Sequence, residues 1–203
     1  TVHLALTQCQ HGSRPACRDV EASFIQQFRA AQRQIYIETQ YLSASHIADA
    51  LTERLRDPDG PEIVLIIPYG CPGMLQAMAL DHHRDKLIKQ LRDADPGGRL
   101  GIYWPTLAGG NDDRPFETSV YVHAKVTVID DQLLRIGSAN LNNRSMGLDT
   151  ELDAWIEADD DHASNAVAAF RRRSLAYLLG TPAETIEKAE REHGSLVAAI
   201  EQL

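Results

Sequence analysis

The chain is short of lysine, cysteine and positive charge, and each shortage excludes something. Only Lys86, Lys89, Lys125 and Lys188 stand among its 20 basic residues, against 29 acidic ones and a formal net charge of -9. That balance gives no long-range attraction to nucleic acid or an anionic bilayer, so an anionic substrate has to be captured by a local group. Cys9, Cys17 and Cys71 have neither C-x-x-C spacing nor an even count, which speaks against a zinc site or a full disulfide framework. Three reduced thiols in a cytoplasmic protein are the expectation, with a Cys9–Cys17 bridge as the alternative. The longest apolar stretches, such as Ile63 to Pro68, fall far short of the roughly 20 residues of a membrane span. The first residues do not read as a secretory signal. Residue 1 is Thr rather than Met, so the chain reads as a processed or excised piece of something longer.

What is present is a 43% hydrophobic, 24% charged composition, the balance of an ordinary globular chain rather than a disordered or fibrous one. A length of 203 residues suffices for its own core without staples. With no linker, low-complexity tract or repeat in view, a single domain over 1–203 is expected.

Along the chain, Val2 to Thr7 alternates as an edge strand does, and Arg18 to Arg33 carries apolar residues at helical spacing. Ile35 to Gln40 reads as a strand, and His46 to Arg56 as a helix capped by Ser43 or Ser45. Glu62 to Pro68 is continuously apolar at its centre, as in a strand buried on both faces. A helix over Gly73 to Asp93 and a strand over Leu100 to Trp104 follow. The alternation of strands and helices predicts an α/β fold with a mixed, largely parallel β-sheet flanked by helices on both faces. Beyond a polar loop at Gly109 to Pro115, Val120 to Ile129 and Leu133 to Gly137 flank Asp130-Asp131-Gln132 as a hairpin. Thr150 to Glu157 is one more strand, and two helices finish the chain, the last capped by Thr181 with Pro182 at its first position and Glu184 completing a capping box.

Chemistry concentrates in Val122-His123-Ala124-Lys125-Val126-Thr127-Val128-Ile129-Asp130 and in Gly137-Ser138-Ala139-Asn140. On a strand, His123, Lys125 and Thr127 share one face while Val122, Ala124, Val126 and Val128 share the other. The hairpin returns Gly137, Ser138 and Asn140 to that strand's beginning. A nucleophile or general acid, a cation and neutral donors then meet in one place, a set suited to a phosphate oxyanion. Asp130 falls in the turn, off the face of His123, and reads as structural. His82 and His83 lie beside Asp81 and Asp85 but lack a third convergent ligand, so no metal site is expected there. Arg171-Arg172-Arg173 spreads over a wide helical arc and reads as a solvated face.

The run H-x-K-x4-D followed by G-S-x-N resembles the signature of the phospholipase D superfamily. Ile35-Tyr36-Ile37-Glu38-Thr39-Gln40-Tyr41 and Asn142 to Glu151 resemble the segments that flank the motif in the second half of bacterial members. The resemblance implies a phospholipase D-like half-domain. It also implies phosphodiester cleavage or headgroup exchange on phospholipids through a phosphohistidine, with no metal and no cofactor. It makes His123, Lys125, Asp130 and Glu151 the catalytic set and Ser138 and Asn140 substrate-binding. In that set Lys125 binds phosphate oxygens and Glu151 orients the His123 imidazole. A complete site in the family uses two such motifs, and this chain carries one. Either an N-terminal motif-bearing half of the same protein or a second copy of the chain has to complete it. The flanking resemblances and the Thr at position 1 favour the first. The other readings are a nuclease-type phosphodiesterase acting as a homodimer, which the acidic charge disfavours, and a non-catalytic half that needs its partner domain. Phosphodiester substrates and peripheral contact with a membrane go with the first reading, nucleic acid less so.

Overall fold

The computed structural model of the chain describes residues 1–70, 82–111 and 114–203. In chain order the described elements are β1 (Val2–Gln8), β2 (Cys17–Arg18), α1 (Asp19–Ala30), β3 (Gln34–Thr39), α2 (Ser45–Arg56), β4 (Glu62–Ile66), α3 (His82–Asp93), β5 (Leu100–Tyr103), β6 (Thr106–Asn111) and β7 (Arg114–Ser119). They continue as β8 (Lys125–Ile129), β9 (Leu133–Gly137), α4 (Asn143–Gly147), β10 (Glu151–Glu157), α5 (Asp161–Leu179), α6 (Ala183–His193) and α7 (Leu196–Glu201). The helix expected from Gly73 is described from His82 onward; its earlier residues, with Cys71, lie outside the described residues. Among those residues no helix is long and apolar enough to cross a membrane.

Eight strands form one sheet in the order β2-β1-β10-β9-β8-β3-β4-β5. The sheet is mixed, as expected, but its parallel part is confined to β3, β4 and β5. The other pairings are antiparallel. The α-helical crossovers expected from the early alternation account for the parallel third, because parallel neighbours require them. The remainder is laid down by the β8–β9 hairpin and by the pairing of β1 with β10. Strand β4 lies between two parallel neighbours, and Ile63 to Ile66 are buried on both sides.

Each face of the sheet carries its own core. On one, Phe24 and Phe28 of α1, Ile47 and Leu51 of α2 and Leu91 of α3 pack with Ile35, Ile37, Ile63, Leu65 and Trp155. On the other, Val167 and Leu175 of α5, Ile186 of α6 and Val197 of α7 pack with Tyr36, Val64, Val128 and Leu134. Val122 belongs to the second core, with Ala124 and Val126 packed against it. The alternation read from the motif segment holds within β8, where Val126 and Val128 face the second core, but His123 lies ahead of the strand and borders a groove together with Val122 and Ala124.

Several local expectations are displaced, each for a physical reason. Strand β8 starts at Lys125 instead of Val120 because its neighbour β3 ends at Thr39, the partner of Lys125, while the Val120 N–H bonds the Pro105 carbonyl at 2.9 Å instead. Of the loop expected over Gly109 to Pro115, Gly109 to Asn111 belong to β6 and Arg114 and Pro115 to β7, and residues 112 and 113 lie outside the described residues. Neither Ser43 nor Ser45 caps α2, whose N-cap is Ala44. Thr181 does not cap α6 either. Its N–H closes the end of α5 by bonding the carbonyl of Ala176 across left-handed Gly180, and extended Pro182 takes the cap position instead. Three helices rather than two follow β10. Cys9 and Cys17 are both free thiols.

The hairpin turn puts Asp130 and Asp131 at φ 56° each, a left-handed pair that costs energy for any L-residue. Both are anchored. The Asp130 carboxylate accepts the backbone N–H groups of Gln32 (2.8 Å), Arg33 (2.7 Å) and Gln34 (2.9 Å). That of Asp131 accepts Arg171 Nε at 2.8 Å and Nη2 at 2.9 Å. Arg171 is thus buried at 1% exposure, not on a solvated face, and it also pairs with Glu190 of α6. Burial works against its charge, but the hydrogen bonds to Asp131 and Glu190 outweigh that and hold its pKa above the arginine range. One guanidinium thereby joins α5, α6 and the turn. Replacing it strands two carboxylates, and Arg171→Ala is expected to cost ~3–5 kcal/mol of unfolding free energy. Urea denaturation checks this, and a loss below ~1 kcal/mol would place the pair among weak surface bridges.

Candidate active site

One end of the sheet gathers the motif residues. Strand β3 leaves at Thr39 and β9 at Gly137, while β8 enters at Lys125 and β10 at Glu151; antiparallel pairing sets Lys125 beside Thr39 and Gly137 beside Asp153. The sequence brings these positions together because the β8–β9 hairpin folds back on itself and β10 pairs with the returning strand.

Lys125 is half-buried, and its Nζ donates to Gln40 Oε1 (3.1 Å) and to the backbone carbonyl of His123 (2.8 Å). Desolvation lowers its pKa below the usual lysine value, and the nearby Glu151 charge opposes that shift. The His123 side chain is exposed, just ahead of β8, and its imidazole makes no hydrogen bond among the described residues. It borders a cavity of about 500 Å³ shared with Glu38, Phe170, Arg173 and Tyr177. Burial pushes the Glu38 carboxyl up, while hydrogen bonds from Tyr36 and Ser174 oppose the rise.

Ser138 Oγ donates to Glu151 Oε2 at 2.5 Å and accepts the Leu152 N–H at 3.0 Å. Glu151 is 8% exposed, and its carboxylate is engaged by Ser138 instead of by the His123 ring. Strand β9 lies between β8 and β10, which separates the carboxylate from that ring. Asn140 donates its backbone N–H to Ser145 Oγ (3.2 Å), and its Oδ1 is buried with no partner among the described residues. Asp130 is not brought to this end. It lies five positions beyond Lys125 along the strand, a span of ~16 Å, and its carboxylate ties the turn to the segment before β3. Among the described residues, no group of three or more His, Cys, Asp or Glu side chains is arranged to hold a metal ion.

Two contributors escaped the sequence reading. Gln40 bridges Lys125 to Tyr121, whose hydroxyl accepts Gln40 Nε2 at 2.6 Å. Its role depends on β3 and β8 being antiparallel neighbours, which no local pattern states. The other is a buried ion pair under the G-S-x-N loop. Arg135 Nε donates to Asp153 Oδ2 at 2.8 Å and Nη2 to the Ala139 carbonyl at 2.7 Å, while Asp153 Oδ1 accepts the Ala139 N–H at 3.2 Å. Arg135 also lies 4.8 Å from the Phe24 ring centroid. Both charges are almost wholly buried. Arg135 is an alternate-face residue of an apolar strand, and that misplaced charge was the available signal.

Residues 24–173 match the model of a family described as "Cardiolipin synthase, PLD-like domain". Phospholipase D C of Dictyostelium discoideum is 26% identical over 163 residues, covering 68% of this chain and 10% of its own length. Phosphatidylserine synthase of Haemophilus influenzae superposes with a TM-score of 0.60 at 16% identity, covering 87% of this chain and 38% of the other. Nuc of Salmonella typhimurium, a phospholipase D family member, superposes with a TM-score of 0.56 at 14% identity, covering 85% and 93%. At those identities the structural likeness shows the fold alone. The chain spans about a tenth of the Dictyostelium relative.

Gly137 is dictated by the buried pair: a Cβ there would sit 1.9 Å from Asp153 Oδ1. Gly137→Ala must displace a carboxylate that has nowhere to go and is expected to lower stability by ~1–3 kcal/mol. Thermal or urea unfolding measures it, and an unchanged midpoint would contradict the tight approach.

Proposed function

Because the chain belongs to the phospholipase D-like domain family, we propose that it is a single, motif-bearing half of a phosphodiesterase that cleaves or exchanges phospholipid headgroups. The observation that carries this reading is the half-buried Lys125 ammonium at the sheet end, donating to the backbone carbonyl of His123, whose exposed ring is unengaged among the described residues. A ring nitrogen of His123 attacks phosphorus, a P–N bond forms, and the P–O bond to the alcohol breaks with its electron pair leaving on oxygen. Lys125 neutralises the phosphate oxygens, where a partly buried cation acts more strongly than in water. Gln40 aims Lys125, and the Glu151 charge keeps it protonated against desolvation. Ser138 and the amide N–H groups of Asn140 add donors. Asp130 has no part in the chemistry and serves the turn.

The departing alkoxide needs a proton, and the resolving water or alcohol needs a base. A second motif-bearing unit, the other half of a longer protein or another copy of this chain, supplies that group. The net charge of -9 favours a headgroup diester over a polynucleotide, which calls for a basic groove.

A chromogenic phosphodiester, quenched in alkaline detergent, is expected to leave an alkali-stable, acid-labile phosphohistidine on the parent protein and none on His123→Ala. Lys125→Met should lower turnover by ~10²–10³-fold, and EDTA should leave activity unchanged. Turnover by His123→Ala, or its loss in EDTA, would sink the reading. The lowered Lys125 pKa also fixes a sign. Lys125 loses its proton at a lower pH than an ordinary lysine, so the alkaline limb of activity should fall at a lower pH than an ordinary lysine would set. Lys125→Arg should move it upward, and an unmoved limb would show that another group sets it.

A further inference from the structure

The exposed aromatic rings gather at one end of the molecule. Strands β4 and β5 run parallel to β3, so the chain just past their ends lies at the same end of the sheet as Lys125. Tyr69 follows β4 and Trp104 follows β5; they are 64% and 43% exposed, and their rings meet edge to face with centroids 5.6 Å apart. Tyr121, 42% exposed, is tied to the site through Gln40. Helix α5 starts at the opposite end, where Ser164 Oγ donates to the Asp131 carbonyl. It brings Tyr177, 86% exposed, to the edge of the His123 cavity. Among the described side chains, no other Phe, Tyr or Trp is exposed.

Tyrosine and tryptophan rings have an apolar body and a polar tip, the combination that settles at a lipid–water boundary. The four rings are spread around the rim with cavities and polar groups between them, so they do not form the dry apolar centre of a protein–protein interface. Charge is the second observation. Beside Tyr69 and Trp104 a cavity of about 570 Å³ runs along α3, bordered by Arg84, Lys89 and Arg92. In a chain of net charge -9, α3 carries Arg84, Lys86, Lys89 and Arg92 against Asp85 and Asp93. Lys89 is held by Asp93 at 2.5 Å, whereas Lys86 and Arg92 are exposed and form no ion pair among the described residues. A cationic helix beside amphipathic rings complements the phosphate layer of a bilayer. A single strand of nucleic acid also stacks on such rings, but it calls for a basic groove that tracks its backbone, and the cations here lie along one helix.

We propose that this end of the sheet docks on a phospholipid surface, with Tyr69 and Trp104 inserted among the headgroups and α3 supplying cations to the phosphate layer. The proposal rests on the phosphodiesterase reading for what the docked site does, which is to meet the headgroup diester with Lys125 and His123. The rings hold the contact more than charge does, because an acidic chain gains no long-range attraction to an anionic surface. Turnover of lipid in vesicles then depends on residues that turnover of a soluble diester does not use.

Trp104 reports on the docking by itself, because the other tryptophan of the chain, Trp155, is 3% exposed. Phosphatidylcholine vesicles with about one-fifth phosphatidylglycerol should shift the fluorescence of the parent protein to the blue, saturably, and acyl chains brominated near the headgroup should quench it. Tyr69→Ala should weaken vesicle partitioning by about tenfold, the burial of one ring. It should cut turnover of vesicle lipid by a similar factor and leave turnover of a water-soluble chromogenic phosphodiester unchanged. Reversing two charges together, Lys86→Glu with Arg92→Glu, should weaken binding to the same vesicles by about tenfold and binding to pure phosphatidylcholine far less. No shift with vesicles, or a shift without bromolipid quenching, overturns the proposal. So does a shift that single-stranded oligonucleotide, or rising protein concentration alone, produces in place of vesicles. Phosphohistidine formed from the soluble diester without any vesicle-induced shift overturns the docking and leaves the phosphodiesterase reading standing. A quenched shift with no phosphohistidine does the reverse.

Discussion

The buried Arg135–Asp153 pair is the interaction on which the site depends. Two charges removed from water are stable only with good geometry and further hydrogen bonds, and here those bonds go to both backbone groups of Ala139. Burial raises the Asp153 pKa and lowers that of Arg135, while each partner's charge opposes the other's shift. The loop carrying Ser138 and Asn140 is thereby held to β9 and β10 by these hydrogen bonds together with the buried Ala139 and Leu141 side chains. The same pair forbids a side chain at Gly137. A glycine of the motif, two residues outside it and an aromatic ring from α1 thus form one constraint.

The site is built by two kinds of anchoring at opposite ends of one hairpin. At the turn, Asp130 binds the chain entering β3 and Asp131 binds α5 through Arg171. At the open end, Lys125 is neighboured by Gln40 from β3 and Ser138 by Glu151 from β10. Fixing the turn sets the register of β8 against β3, and that register places Lys125 beside Thr39. The motif aspartate therefore shapes the site from ~16 Å away without touching substrate.

Much of this was legible in the residues. The spacing of His123, Lys125, Asp130, Ser138 and Asn140 named the hairpin and its polar end, and continuous apolarity marked β4 as a doubly covered strand. What failed was non-local. The antiparallel majority of the sheet depends on β1 and β10 meeting across the chain, and Gln40 matters only because of strand order. Thr181 looked like a cap because the preceding helix's closure, which uses its N–H, has no sequence signal beyond Gly180. Arg171 looked solvated because its partners lie 40 and 19 residues away.

The pairing of β1 with β10 has a consequence for synthesis. Val2 lies opposite Ile156, so β1 must wait for a strand made about 150 residues later. At ~5–20 residues per second, that wait is ~8–30 s, during which Val2 and Leu4, still exposed in the finished fold, belong to an unpaired strand. The carboxylate that steadies Ser138 enters with β10, so the nascent chain carries an intact motif well before it carries an ordered site.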